Sequence, residues 1–153
     1  KILPDAVIID IRRNPLDCGW SLFKQHFADG AAFSYAMEDI AAYYAGYLKI
    51  MDHWDAVLPG KVIRIQYEDL VADAETVVKH LLSQVGLEFE ANCLAFHETR
   101  RAVRTASSEQ VRQPLNTRGI GAWRAVEASL EPLKAALGET ILARFEGQLG
   151  RTP

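Results

Sequence analysis

The hydrophobic pattern of this chain changes period several times. Ala6 to Ile11, AVIIDI, is a short continuous apolar run rich in β-branched residues, the pattern of a strand covered on both faces in a parallel sheet. Arg12 and Arg13 end it, and Asn14 followed by Pro15 opens a helical pattern. Proline suits the first helical turn and asparagine its cap. That helix is expected from about Leu16 to Ala28, stopping near Gly30. A long helix is expected over roughly Met37 to Val57, where Ile40, Tyr43, Tyr44, Tyr47, Leu48, Met51 and Trp54 recur at helical spacing. Pro59-Gly60 ends it, and Lys61 to Tyr67, KVIRIQY, reads as a second strand.

A short turn follows, then a helix from about Ala74 to Val85, with Asp73 as its cap and Gly86 as its stop. The order β-α-α-β-α favours an α/β layered fold with a parallel sheet. From Arg100 to Arg124 periodicity lapses, and Arg, Ser, Thr, Gln and Gly dominate. Polar loops of that length inside compact domains are usually functional or disordered. Helix resumes from Ser129 to Leu149, broken near Gly138.

The totals narrow the choice of partner. A chain of 153 residues, 49% hydrophobic and 24% charged, fits one globular domain. A net charge of -3 and a pI near 5.8 exclude nucleic acid as a bulk electrostatic partner, so any basic site must be local. Cys18 and Cys93 lie far apart and form no metal-ligand spacing, and no metal is expected. With no leader or transmembrane run recognised, the expected compartment is reducing, the cytoplasm. The chain opens on Lys1, already close to a strand-like run, and reads as a piece of a longer protein.

Arg12 and Arg13 stand where a strand ends and a helix begins, with Ser21 a little over one turn into that helix. In open α/β sheets ligands gather beyond the carboxyl ends of strands, and helix N-termini there suit phosphate. Arginine grips phosphate bidentately, and a serine hydroxyl adds one donor. The alternative is that Arg13 pairs with Asp17 or Asp10 and that Ser21 is merely a helix residue.

The stretch IIDIRRNPLDCGWSLF resembles the 3′-phosphate-binding segment of sulfotransferases, a strand followed by Arg-x-Pro-x-Asp-x-x-x-Ser, matched here by Arg13, Pro15, Asp17 and Ser21. Family enzymes use 3′-phosphoadenosine-5′-phosphosulfate (PAPS) as sulfuryl donor. The resemblance implies that Arg13 and Ser21 hold its 3′-phosphate, with Arg12 a neighbour whose direction the pattern leaves open, since adjacent strand residues face opposite ways. Val62 to Leu87, beginning VIRIQYEDL, looks like the family's strand, Tyr-Glu-Asp-Leu and helix, which implies Tyr67 as an adenine contact. Arg104 to Trp123 is similar to the C-terminal cofactor loop of tyrosylprotein sulfotransferases and their bacterial relatives. Ser107, Gln110, Val111, Pro114, Asn116 and Trp123 match that pattern. The implied nucleotide contacts there are Ser107, Gln110, Arg112, Asn116 and Arg118. Basic residues found in those enzymes near the proline and before the tryptophan fall on Gln113 and Ala122, and Arg112, Arg118 or Arg124 would have to compensate.

The resemblance implies a three-layer P-loop-NTPase-like domain of which residues 1–153 are the C-terminal part. It also implies in-line sulfuryl transfer to a hydroxyl or amine, with 3′,5′-adenosine bisphosphate (PAP) as product. The acceptor is open among protein tyrosine, carbohydrate, lipid and small molecules. The loop holding the 5′-phosphosulfate and the general base are expected upstream of this chain, which alone is expected to be inactive. His26, His53, His80 and His97 are poor candidates for that base. Two other readings stay open: a fragment of a P-loop nucleotide kinase, and a non-catalytic nucleotide-binding or scaffold module of degenerate sulfotransferase fold.

Overall fold

The computed structural model describes residues 6–27, 30–98 and 110–149. Strand β1, Ile8–Arg12, pairs in parallel with β2, Val62–Gln66, so that Asp10 lies beside Arg64 and Arg12 beside Gln66. Helix α1, Pro15–Lys24, follows β1 directly, and α2, Met37–Val57, supplies the return to β2. Two short helices, α3 (Tyr67–Ala72) and α4 (Ala74–Gln84), come after β2. A 3-10 segment, Ala122–Leu130, kinked at Val126, leads into α5 (Glu131–Ala143) and α6 (Glu146–Leu149). The described residues thus form a mixed α/β structure with a two-stranded parallel sheet. Among them no helix is long and apolar enough to cross a membrane.

The local signals work as their chemistry requires. Asn14 Oδ1 accepts from the Leu16 amide at 2.9 Å, and Pro15 stands in the first turn of α1. Asp73 accepts from the Thr76 amide at 3.1 Å at the start of α4. Helix α5 is interrupted at Gly138, whose φ of 75° suits a residue without a Cβ.

The core is made between helices. Leu16 of α1, Ile40, Ala41, Tyr44 and Leu48 of α2, and Leu133 and Leu137 of α5 are buried together with Trp123, Leu130 and Phe145. Gly19 marks the closest approach: a Cβ there would stand 2.6 Å from Leu133 Cδ2 and 3.4 Å from Ile40 Cγ2. Gly19→Ala therefore sets two effects against each other. Helix propensity favours alanine by up to about 1 kcal/mol, while overpacking a filled core costs about 1–3 kcal/mol. A net loss of about 1 kcal/mol is expected, read in urea as a lower midpoint at unchanged slope.

Two expectations are corrected. Helix α1 ends at Lys24, short of Ala28 (itself outside the described residues), and Gln25 is extended. Leaving the helix early lets the 3-10 turn Ala32–Tyr35 lie against α2, where Phe33 stacks on Tyr43 with centroids 4.1 Å apart. Among the described residues strand β1 is covered on one face only. Ile9 and Ile11 are 44% and 57% exposed, whereas Asp10 and Arg12 are buried toward Tyr47 of α2. Of the polar stretch ending at Arg124, residues 110–124 are described, with 3-10 turns at Gln110–Arg112 and from Ala122 onward.

Candidate functional site

The turn between β1 and α1 sends its two arginines apart, as alternation along a strand requires. Arg12, 6% exposed, lies within a polar network. Its Nη2 donates to Asp10 at 3.1 Å and its Nε to the Tyr47 hydroxyl at 3.1 Å. Tyr47 donates to the other Asp10 oxygen, and Arg64 Nε reaches Asp10 at 3.1 Å. Burial opposes ionisation of Asp10. Hydrogen bonds from Tyr47 and Arg64 and the charge of Arg12 outweigh it, holding the carboxyl below its ordinary range.

Arg13 takes the opposite course. Its backbone carbonyl is fixed by the Tyr44 hydroxyl at 2.7 Å. Its guanidinium lies over the Tyr67 ring, 5.2 Å from the centroid, and donates through Nη2 to the Gly119 carbonyl. Gly119 permits that approach, since a Cβ there would stand 2.6 Å from Nη2. The Arg13 Nε is buried with no hydrogen-bond partner among the described residues. Arg13 forms no ion pair with Asp10 or Asp17, the pairing left open by the sequence. Asp10 is taken by Arg12 and Arg64, and Asp17 accepts from the Gly121 and Trp123 amides at 2.7 and 3.1 Å.

Around this guanidinium is a cavity of about 500 Å³. Arg13, Ser21, Tyr67, Asn116 and Arg118 all line it. Glu68, buried beside Tyr67, accepts from the Asn14 amide at 2.9 Å and from Gln66 Nε2 at 2.7 Å. It thereby joins the Tyr67 segment to the β1–α1 turn. Asn116 Oδ1 accepts from the Arg118 amide at 3.2 Å, which shapes the loop wall.

Not every residue expected at the site is placed there. Arg112 is exposed and is not among the lining residues. It follows Val111, which does line the cavity, in a 3-10 turn that carries the two side chains in different directions. Ser107 lies outside the described residues, and of Gln110 only the backbone is described, in that turn. Phe96 and Gln113 line the cavity without having been singled out as nucleotide contacts. Phe96 carried no motif, and Gln113 drew notice only as a departure from a basic position.

A separate groove of about 650 Å³, more apolar, is lined by Ile11, Leu22, Tyr43, Tyr47, Ile50 and Met51 among others. The aromatic face of α2 thus divides between core and groove, with Tyr44 buried and Tyr43 exposed. Burial raises the Tyr44 and Tyr47 hydroxyls above the ordinary tyrosine range, so both stay protonated donors.

A family model described as the sulfotransferase family matches residues 1–91. This chain belongs to the sulfotransferase family. The matched stretch holds Arg13, Ser21 and Tyr67, while the loop wall bearing Asn116 and Arg118 lies beyond it. The chain is also 31% identical over 141 residues to an uncharacterized protein of Aquifex aeolicus (strain VF5). That similarity covers 90% of this chain but only 18% of the Aquifex protein.

Proposed function

We propose that this chain supplies the nucleotide-gripping part of a PAPS-dependent sulfotransferase domain of three-layer, P-loop-like architecture. The 500 Å³ cavity takes the adenosine 3′-phosphate end of PAPS or PAP. One observation carries the proposal. Arg13 turns its charge to the cavity, and among the described residues no carboxylate pairs with it and its Nε has no hydrogen-bond partner. A guanidinium so placed suits a dianionic phosphate, whose oxygens accept the planar fork of donors. Ser21 adds a hydroxyl, Arg118 a second charge, and Asn116 shapes the loop between them. Tyr67, under the guanidinium, offers a face for the purine.

When bound, PAPS supplies the activated sulfuryl group. The residues of this chain bind and orient the nucleotide that carries it, and positioning of that kind accounts for much of such catalysis. Contacts to the phosphosulfate and removal of the acceptor proton are assigned to other parts of a longer polypeptide, so the chain by itself is expected to transfer no sulfate.

Thermal unfolding and calorimetry of the full-length protein with PAP, 5′-AMP and ATP test the proposal. PAP should bind and stabilise far more strongly than AMP, which differs by the 3′-phosphate alone. Equal responses to PAP and AMP would overturn the assignment. Tight binding of ATP without preference for PAP would instead favour a nucleotide kinase.

A further inference from the structure

Asp17 carries a buried carboxylate with no cation on it among the described residues; it is 3% exposed. A buried charge is costly unless strongly hydrogen-bonded. Here the two oxygens accept from two backbone amides, Oδ2 from Gly121 at 2.7 Å and Oδ1 from Trp123 at 3.1 Å. Those amides lie 104 and 106 residues away along the chain. The carboxylate therefore ties α1 to the far loop through side-chain hydrogen bonds. Gly121 adopts φ 69°, where the backbone turns sharply, and the Ile120 amide donates to the Thr117 carbonyl at 2.8 Å. Gly119, inside that turn, presents the carbonyl that accepts from Arg13. The path runs from Asp17 to the Gly121 amide, through one tight turn, to the guanidinium in the cavity.

We propose that Asp17 is a positioning residue, a latch that holds the 117–123 loop on α1 and so aims Arg13 at a 3′-phosphate. The inference rests on reading the cavity as the PAP site. Its effect is on preference: the latched loop makes the cavity favour 3′-phosphorylated over unphosphorylated nucleotide. Charge and position give opposite forecasts for one substitution. Asp17→Asn removes a negative charge close to a cationic cavity, which on electrostatics alone strengthens anion binding. It also keeps the side chain's shape while turning an N–H toward one of the two amides, which loosens the latch and weakens that binding. Asp17→Ala removes both acceptors, and if it fails to fold, Asp17→Asn still decides the matter.

The experiment is calorimetric titration of the full-length wild type and Asp17→Asn with PAP and with 5′-AMP, alongside their melting temperatures. The wild type should prefer PAP. Asp17→Asn should bind PAP about 10-fold more weakly, the equivalent of one good hydrogen bond, with AMP affinity little changed. Unchanged or tighter PAP binding by the variant would overturn the latch while leaving the cavity's assignment standing. A parallel fall for PAP and AMP would mark general loosening and also overturn it. If the wild type shows no preference for PAP, it is the cavity's assignment that fails.

Discussion

Arg13→Ala is expected to remove nearly all of the stabilisation that PAP confers on the full-length protein. Truncating one partner of a desolvated charge pair costs about 2–5 kcal/mol of binding, so a loss of about 100-fold in affinity is a moderate forecast. At a ligand concentration about 100 times Kd, the wild type gains about 2.7 kcal/mol. After a 100-fold loss the same concentration only equals the new Kd, and the gain falls to about 0.4 kcal/mol. Thermal unfolding would register this as a shift that all but disappears. Arg13→Lys should fall between, since a point charge cannot supply the planar fork. Without ligand the alanine variant should fold, because among the described residues the Arg13 side chain makes one hydrogen bond and one ring contact, and its backbone carbonyl keeps the Tyr44 hydroxyl. A PAP-induced shift of undiminished size in Arg13→Ala would remove the basis for the proposed function.

The second large effect concerns stability. Asp10→Ala leaves Arg12 buried without its carboxylate, and removing one member of a buried pair costs about 3–5 kcal/mol. Tyr47 and Arg64 lose their acceptor in the same step. Urea unfolding at neutral pH should show a loss near the lower end of that range, since Arg64 is partly exposed and keeps its pairing with Asp55. The pH dependence carries its own sign. The folded carboxyl titrates below the ordinary value of 3.8, so the unfolded chain binds its proton first as pH falls. The contribution of Asp10 is therefore complete above the unfolded value and is lost as pH drops through the lowered, folded one. Between about pH 5 and pH 2 the wild type should lose stability more steeply than Asp10→Asn, which has no such group to titrate. Parallel acid limbs would show that Asp10 is not held as described.

Local signals were the readable part of this fold. Asn14-Pro15, Asp73 and Gly138 each act within a few residues, and their outcomes follow from the nearby chain alone. The long helix Met37–Val57 was legible because its apolar spacing persists over many turns. What could not be read depends on which layer meets which. The run AVIIDI is apolar enough for a strand covered on both faces, yet Tyr47 recruits Asp10 and Arg12 to the α2 side and leaves Ile9 and Ile11 exposed. The site divides in the same way. Arg13, Ser21 and Tyr67 belong to recognisable segments, and the cavity brings them together with Asn116 and Arg118. Phe96 enters it through a contact no spacing rule describes. The role of Asp17 was equally hidden, because its partners are backbone amides that carry no residue identity.

The contact between Asp17 and Gly121 spans 104 residues, and that between Arg13 and Gly119 spans 106. Closing so long a loop has an entropic cost that must be met before the contact repays it, and contacts of this kind slow folding. The cavity therefore belongs among the last features to form as the chain collapses. During synthesis, the β1–α1 turn emerges from the ribosome long before the loop that completes it. Over that interval Arg13 lacks the Gly119 carbonyl, and the proposed phosphate site is complete only in the assembled fold.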